Sequence, residues 1–225
     1  MIGELGSGSI AVDSTMAVHI LAGIGALLAG LGAIATRKGG TRHNRFGRAY
    51  ALSMGIVVVT AAPLAIWADN WFLLAIAVFS GYLVFAGYRA VQRRRAGLTA
   101  PVALDVAGHG TMVAVGGGMV VAGIWQSVTG PVGLAPALAT FGGIGAGFAA
   151  FTLVQFRSSP AKRPPWIQKH VAFMGGAYIA TVTAVITVNL STVPPLIRWL
   201  GPTIVGTPLV VYAIRTYTPR FAPTG

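Results

Sequence analysis

The chain has 225 residues, 55% of them hydrophobic and only 9% charged, whereas roughly a quarter of an ordinary soluble domain is charged. Sixteen Lys and Arg against four Asp and Glu leave a formal charge of +12, and there is no cysteine. This composition excludes an ordinary water-soluble domain, and the missing thiols exclude disulfide frameworks, thiolate metal sites and thiol catalysis.

A helix needs about 20 apolar residues to cross a hydrocarbon core of about 30 Å. Seven stretches come close: 15–36, 49–68, 71–91, 102–125, 132–156, 170–190 and 196–214. None alternates with the period of two that a membrane β-barrel strand requires. The sequence therefore predicts an all-α polytopic membrane protein, a seven-transmembrane-helix bundle. Residues 1–14 are expected to form a short extracytoplasmic segment, 15–215 a single membrane domain and 216–225 a cytoplasmic tail. The opening residues carry Glu4 and Asp13 without a basic stretch, so no signal peptide is expected.

The cations are not scattered. Arg37, Lys38, Arg42, Arg45 and Arg48 follow the first helix; Arg89, Arg93, Arg94 and Arg95 follow the third. Arg157, Lys162, Arg163 and Lys169 follow the fifth, and Arg215 and Arg220 the seventh; only Arg198 lies in the other set of connections. Alternate loops share one side, and short basic loops mark the cytoplasm. The N-terminus is thus predicted outside and the C-terminus in the cytoplasm, in a cell membrane whose anionic lipids the basic loops would meet. The charge reads as topology, and no nucleic-acid partner is needed to explain it. Trp67, Trp71, Trp125, Trp166 and Trp199 all fall at span ends, as expected of rings that sit at headgroup level.

The first, fourth and fifth helices are rich in glycine, among them Gly23, Gly25, Gly30, Gly32, Gly116, Gly117, Gly118, Gly142, Gly143, Gly145 and Gly147. Small residues let helices approach closely in lipid, so tight packing is their expected role. Pro63, Pro202 and Pro208 fall inside the second and seventh helices, where they are expected to kink the backbone.

Ionisable groups within spans are costly and are the first functional candidates. Asp105, near the inner end of the fourth helix, is the only acid close to the membrane core, and His109 follows it by four residues, one turn away on the same face. His43 and His170 stand at the same membrane side, and His19 nears the outer end of the first helix. Three imidazoles and a carboxylate would suit zinc or another divalent metal with one position open to water. Two imidazoles on facing helices would instead suit a b-type haem. Haem ligands in one pair would need matched depth, whereas His109 lies roughly 10 Å below the boundary near which His43 and His170 begin. The plainer alternative leaves His43 and His170 solvated and His109 hydrogen-bonded to Asp105 or a neighbouring helix.

Arg42, Arg45 and Arg48 recur every three residues; on a helix they share a face and can hold a phosphate or an anionic headgroup. Tyr50 and Tyr178 each follow a histidine by about two turns and are expected to face the interior with Thr183. Every lysine precedes the seventh helix, so no Schiff base can form there and retinal is excluded.

His19-x-x-x-Gly23, followed by Arg42-His43-x-x-x-Gly47-Arg48-x-Tyr50, resembles a bacterial family of predicted multi-pass membrane proteins of unknown function. His170, Met174, Tyr178-Ile179-Ala180, Thr183-Ala184 and Val188-Asn189 look like a matching later segment; Asn44 stands where that pattern more often has Arg. The resemblance implies an architecture and no reaction. Three readings of function stay open: a metal- or haem-binding enzyme or redox protein; a small-molecule transporter or binding protein; and a structural or assembly subunit, docking another membrane protein or a second copy of itself.

Overall fold

The computed structural model describes residues 9–159 and 163–221. Among them are seven long helices and no strand: α1 (Ile10–Ala35), α2 (Thr41–Trp67), α3 (Trp71–Arg95), α4 (Ala103–Thr129), α5 (Ala135–Arg157), α6 (Trp166–Asn189) and α7 (Pro195–Tyr217). All seven are long and apolar enough to cross a membrane, which makes this a multi-pass membrane protein in contact with lipid. A one-turn 3-10 helix, Pro219–Phe221, follows α7. Glu4 and most of the predicted N-terminal segment, with Lys162 and the last four residues, lie outside the described part.

Helix ends differ from the hydropathy limits where polar residues extend an apolar run. α2 begins at Thr41, so Arg42, His43, Arg45 and Arg48 are helical. α6 begins at Trp166, which brings Lys169 and His170 into its opening turns. Hydropathy marks the lipid-crossing part of a helix, and the backbone hydrogen-bond ladder continues past it.

The chain divides into two compact units, residues 1–77 and 78–225. In the first, α1 and α2 form an antiparallel hairpin. A methyl group at Gly25 would lie 3.2 Å from Ser53 Oγ, and one at Gly32 would lie 2.8 Å from the Phe46 ring, so glycine is needed where α2 side chains press on α1. The connection turns at Gly39, with φ of 78°, a conformation that glycine adopts without steric cost. Lys38 donates through Nζ to the Ala33 and Thr36 carbonyls, each at 3.2 Å, and to that of Ile34. These carbonyls have no partner within the helix, and a cation there also meets the negative end of the helix dipole. Partial burial of Lys38 lowers its pKa from the ordinary lysine value.

The second unit holds the rest of α3 with α4 to α7. α4 and α5 touch backbone to backbone: a methyl on Gly116 would meet Gly142 O at 2.7 Å, and one on Gly123 would meet Ala135 O at the same distance. α6 and α7 pair through Gly175 against Val210 and Gly206 against Ile179. α3 packs differently, through large side chains. Phe79 lies against Phe141 with ring centroids 5.5 Å apart, Phe85 fills the space over Gly108, and Met174 fills that over Gly87.

Only part of the glycine content serves packing. Gly23, Gly110, Gly117, Gly118 and Gly147 meet nothing that an added methyl would touch, although they stand in the same runs as the contact glycines. Tryptophan divides similarly. Trp67, Trp71 and Trp125 are exposed at span ends, whereas Trp199 is buried against Phe141. Pro63, Pro202 and Pro208 lie inside α2 and α7, as the sequence predicted.

Candidate functional site

The most buried charge among the described residues is Asp105, with no solvent exposure. It sits in the first turn of α4, where its Oδ2 accepts from Val102 N at 3.0 Å. That bond anchors the carboxylate beside the free amides of the helix start, a favourable place for negative charge. Arg89 and Arg93, one turn apart on α3, reach the same carboxylate. Arg89 Nε donates to Oδ1 at 2.6 Å and Arg93 Nη1 to Oδ2. Their side chains are only 15% and 13% exposed. Arg93 Nη2 also donates to Ala100 O at 2.9 Å, tying the α3 to α4 connection to the pair.

One turn further along α4, His109 is buried among aromatic rings. Its Nδ1 is 3.0 Å from Tyr82 Oη. Phe156, Phe85 and Phe173 surround it, with centroids at 5.7, 6.5 and 6.4 Å. Phe156 links this cage to the charges. The Arg93 guanidinium lies 5.1 Å and the Lys169 ammonium 5.6 Å from its centroid, a distance at which the ring attracts a cation.

Two more cations complete this end of the second unit. Arg163 donates to Ser158 O and Phe156 O, closing the end of α5, and to Thr99 O. Lys169, half-buried in the opening turn of α6, feels the positive charges of Arg163 and Arg93. Among the described residues no carboxylate pairs with it, since the ion pairs there are those of Asp105. Of these four cations, Arg89 and Arg93 pair with Asp105, and Lys169 lies over the Phe156 ring that Arg93 shares.

The residues singled out by sequence fall in several places. Asp105 and His109 do share a face of α4, and both are buried; each has its own partners. His170 Nδ1 is 3.0 Å from Gly87 O, and His43 Nδ1 is 2.9 Å from Ala33 O. A carbonyl only accepts, so Nδ1 carries the proton in both, and both rings tie helix to helix. His19 Nδ1 is 3.0 Å from Thr60 Oγ1, whose own proton goes to Ile56 O at 2.7 Å; Nδ1 therefore donates here too. Within neither unit, among the described residues, do three or more His, Asp or Glu side chains gather as a metal would require.

Arg42, Arg45 and Arg48 are exposed along one side of α2. Tyr50 is buried and Tyr178 half-buried. Thr183 is buried, and its hydroxyl donates to Ile179 O at 2.8 Å, as do those of Thr181 and Thr187 to their own helix. These hydroxyl protons thus stay within α6, each given to a carbonyl one turn back.

Sequence reasoning treated Arg89, Arg93, Arg163 and Lys169 as loop charges and gave Phe156 and Gln155 no role. The four-residue spacing of Arg89 and Arg93 was the available signal, because it places both on one helix face shortly before the lone buried acid. Comparison with protein-family models, with curated proteins and with solved structures yields no match for this chain.

Proposed function

We propose that this membrane protein is a small-molecule binding protein or transporter whose second unit takes an anion at its basic end, beside Lys169 and Arg93. Lys169 carries the reading. A half-buried ammonium that feels the charges of Arg93 and Arg163, with no carboxylate partner among the described residues, is an unfavourable arrangement that a bound anion would relieve. Arg89 and Arg93 have Asp105, and Arg163 has backbone carbonyls; Lys169 has the face of Phe156. Cations that served only to orient the chain would need no burial, yet the two arginines are nearly enclosed.

The distribution of basic loops supports a cytoplasmic position for this end, so the anion would come from the cytoplasm or the inner leaflet. An anion that binds only the folded state raises stability by mass action, by about 2.7 kcal/mol at a hundredfold excess over Kd. Melting of the detergent-solubilised protein at constant ionic strength tests the reading. Phosphate or a small carboxylate should raise the midpoint saturably, chloride should not, and Lys169→Met should abolish the response. Equal midpoints in all salts would refute it.

A further inference from the structure

Gln155 is 7% exposed, and among the described residues neither its Nε2 nor its Oε1 has a hydrogen-bond partner. A buried amide with both ends unpaired is costly and rare, so its position matters. Ala149, Thr152 and Gln155 continue the buried side of α5 beyond Gly142 and Gly145. On α4 the facing positions run in the opposite direction. Gly123 meets Ala135 and Ala139, Gly116 meets Gly142 and Ala146, and Met112 meets Gly145. Continued at the same step, this antiparallel register brings Gln155 level with Asp105. The next residue, Phe156, touches His109 and carries Arg93 and Lys169 on its ring. The unpaired amide therefore lies at the level of the cation cluster.

We propose that Gln155 selects the anion, and that the ligand is a phosphate bearing an ionisable P–OH: inorganic phosphate or a phosphomonoester. This rests on the anion reading given above. A carboxamide offers one acceptor and two donors. An anion with only acceptor oxygens, such as sulfate or a phosphodiester, can satisfy Nε2 and leaves Oε1 unpaired. A phosphate that keeps a proton satisfies both ends, its P–O⁻ accepting from Nε2 and its P–OH donating to Oε1. Lys169 and Arg93, on the Phe156 ring, supply charge, which either anion would use. A site that hydrogen-bonds a ligand hydroxyl rejects the analogue lacking it, because its own polar group is then left unpaired.

Titration calorimetry of the purified full chain in a neutral detergent tests the assignment, with inorganic phosphate and sulfate as probes at fixed ionic strength. Phosphate should bind at least tenfold more tightly than sulfate. Gln155→Met, close in length and without the amide, should bring the two affinities together while binding persists. Gln155→Glu should weaken both anions by setting a carboxylate among the cations. It serves as the second variant if Gln155→Met does not fold. Equal affinities in the native protein, or an unchanged ratio in Gln155→Met, overturn the role of Gln155 and leave the anion reading standing; no binding of either probe overturns both.

Nanodiscs separate the two sources of a phosphomonoester. With a lipid ligand, phosphatidic acid competes with phosphate and phosphatidylglycerol does not. With a free ligand, neither lipid competes. Equal competition by both lipids overturns the P–OH requirement.

Discussion

Two arginine-rich helix ends carry a similar pattern in sequence and opposite physics in the fold. At the start of α2, Arg42, Arg45 and Arg48 occupy one side of the helix and are exposed. At the end of α3, Arg89 and Arg93 also share a side, but they are nearly enclosed and converge on the buried Asp105. Exposed cations are screened and individually weak, whereas enclosed ones must be matched by charge or hydrogen bonds. The first group suits a headgroup layer. The second holds two helices together and, with Lys169, creates a local excess of positive charge.

The largest effect expected from this contrast is at Asp105. Asp105→Asn leaves two guanidinium groups enclosed without their carboxylate, and removing one partner of a buried pair costs about 3–5 kcal/mol. Thermal unfolding in detergent should show a lowered midpoint, while Arg45→Gln unfolds as the native protein does. Matching midpoints would break the distinction between the two ends.

Glycine offers the same contrast on a smaller scale. Gly116 faces Gly142 O across the α4 to α5 contact, whereas neighbouring Gly117 meets nothing within 4 Å. Gly116→Val should destabilise by about 1–3 kcal/mol, the usual cost of overpacking. Gly117→Val should leave the unfolding midpoint nearly unchanged. A reversed order would mean that the α4 to α5 register is different.

At the exposed end the expected effect is smallest. Arg45→Gln should weaken association of the purified protein with vesicles containing phosphatidylglycerol by about 1 kcal/mol near the surface, and added salt should erase the difference. A salt-independent loss would point to an enclosed contact at Arg45 instead.

Much of the fold was legible in the sequence because lipid imposes a crude requirement, a run of about 20 apolar residues. All seven spans appear as helices. Their ends were less legible. Thr41 to Arg48 and Trp166 to Lys169 are too polar to register as span, yet helical hydrogen bonding includes them. The Asp105 and His109 pair was visible from its spacing, but its partners were not. Arg89 and Tyr82 are 16 and 27 residues from the groups they contact, and helix spacing reports only neighbours three or four apart. Gln155 was invisible for another reason. A single Gln near the end of an apolar helix reads as an interfacial residue, and only the α4 to α5 register brings it level with Asp105.

Charge enclosed at the end of the second unit is thus held to bind a discrete anion, whereas exposed charge on α2 meets only the headgroup layer and forms no phosphate site. Equilibrium binding of radiolabelled inorganic phosphate to the purified protein, compared with Lys169→Met and Arg45→Gln, tests it most directly. The account predicts saturable binding that Lys169→Met weakens at least tenfold and Arg45→Gln leaves intact. Undiminished binding in Lys169→Met, or an equal loss in both variants, would contradict it.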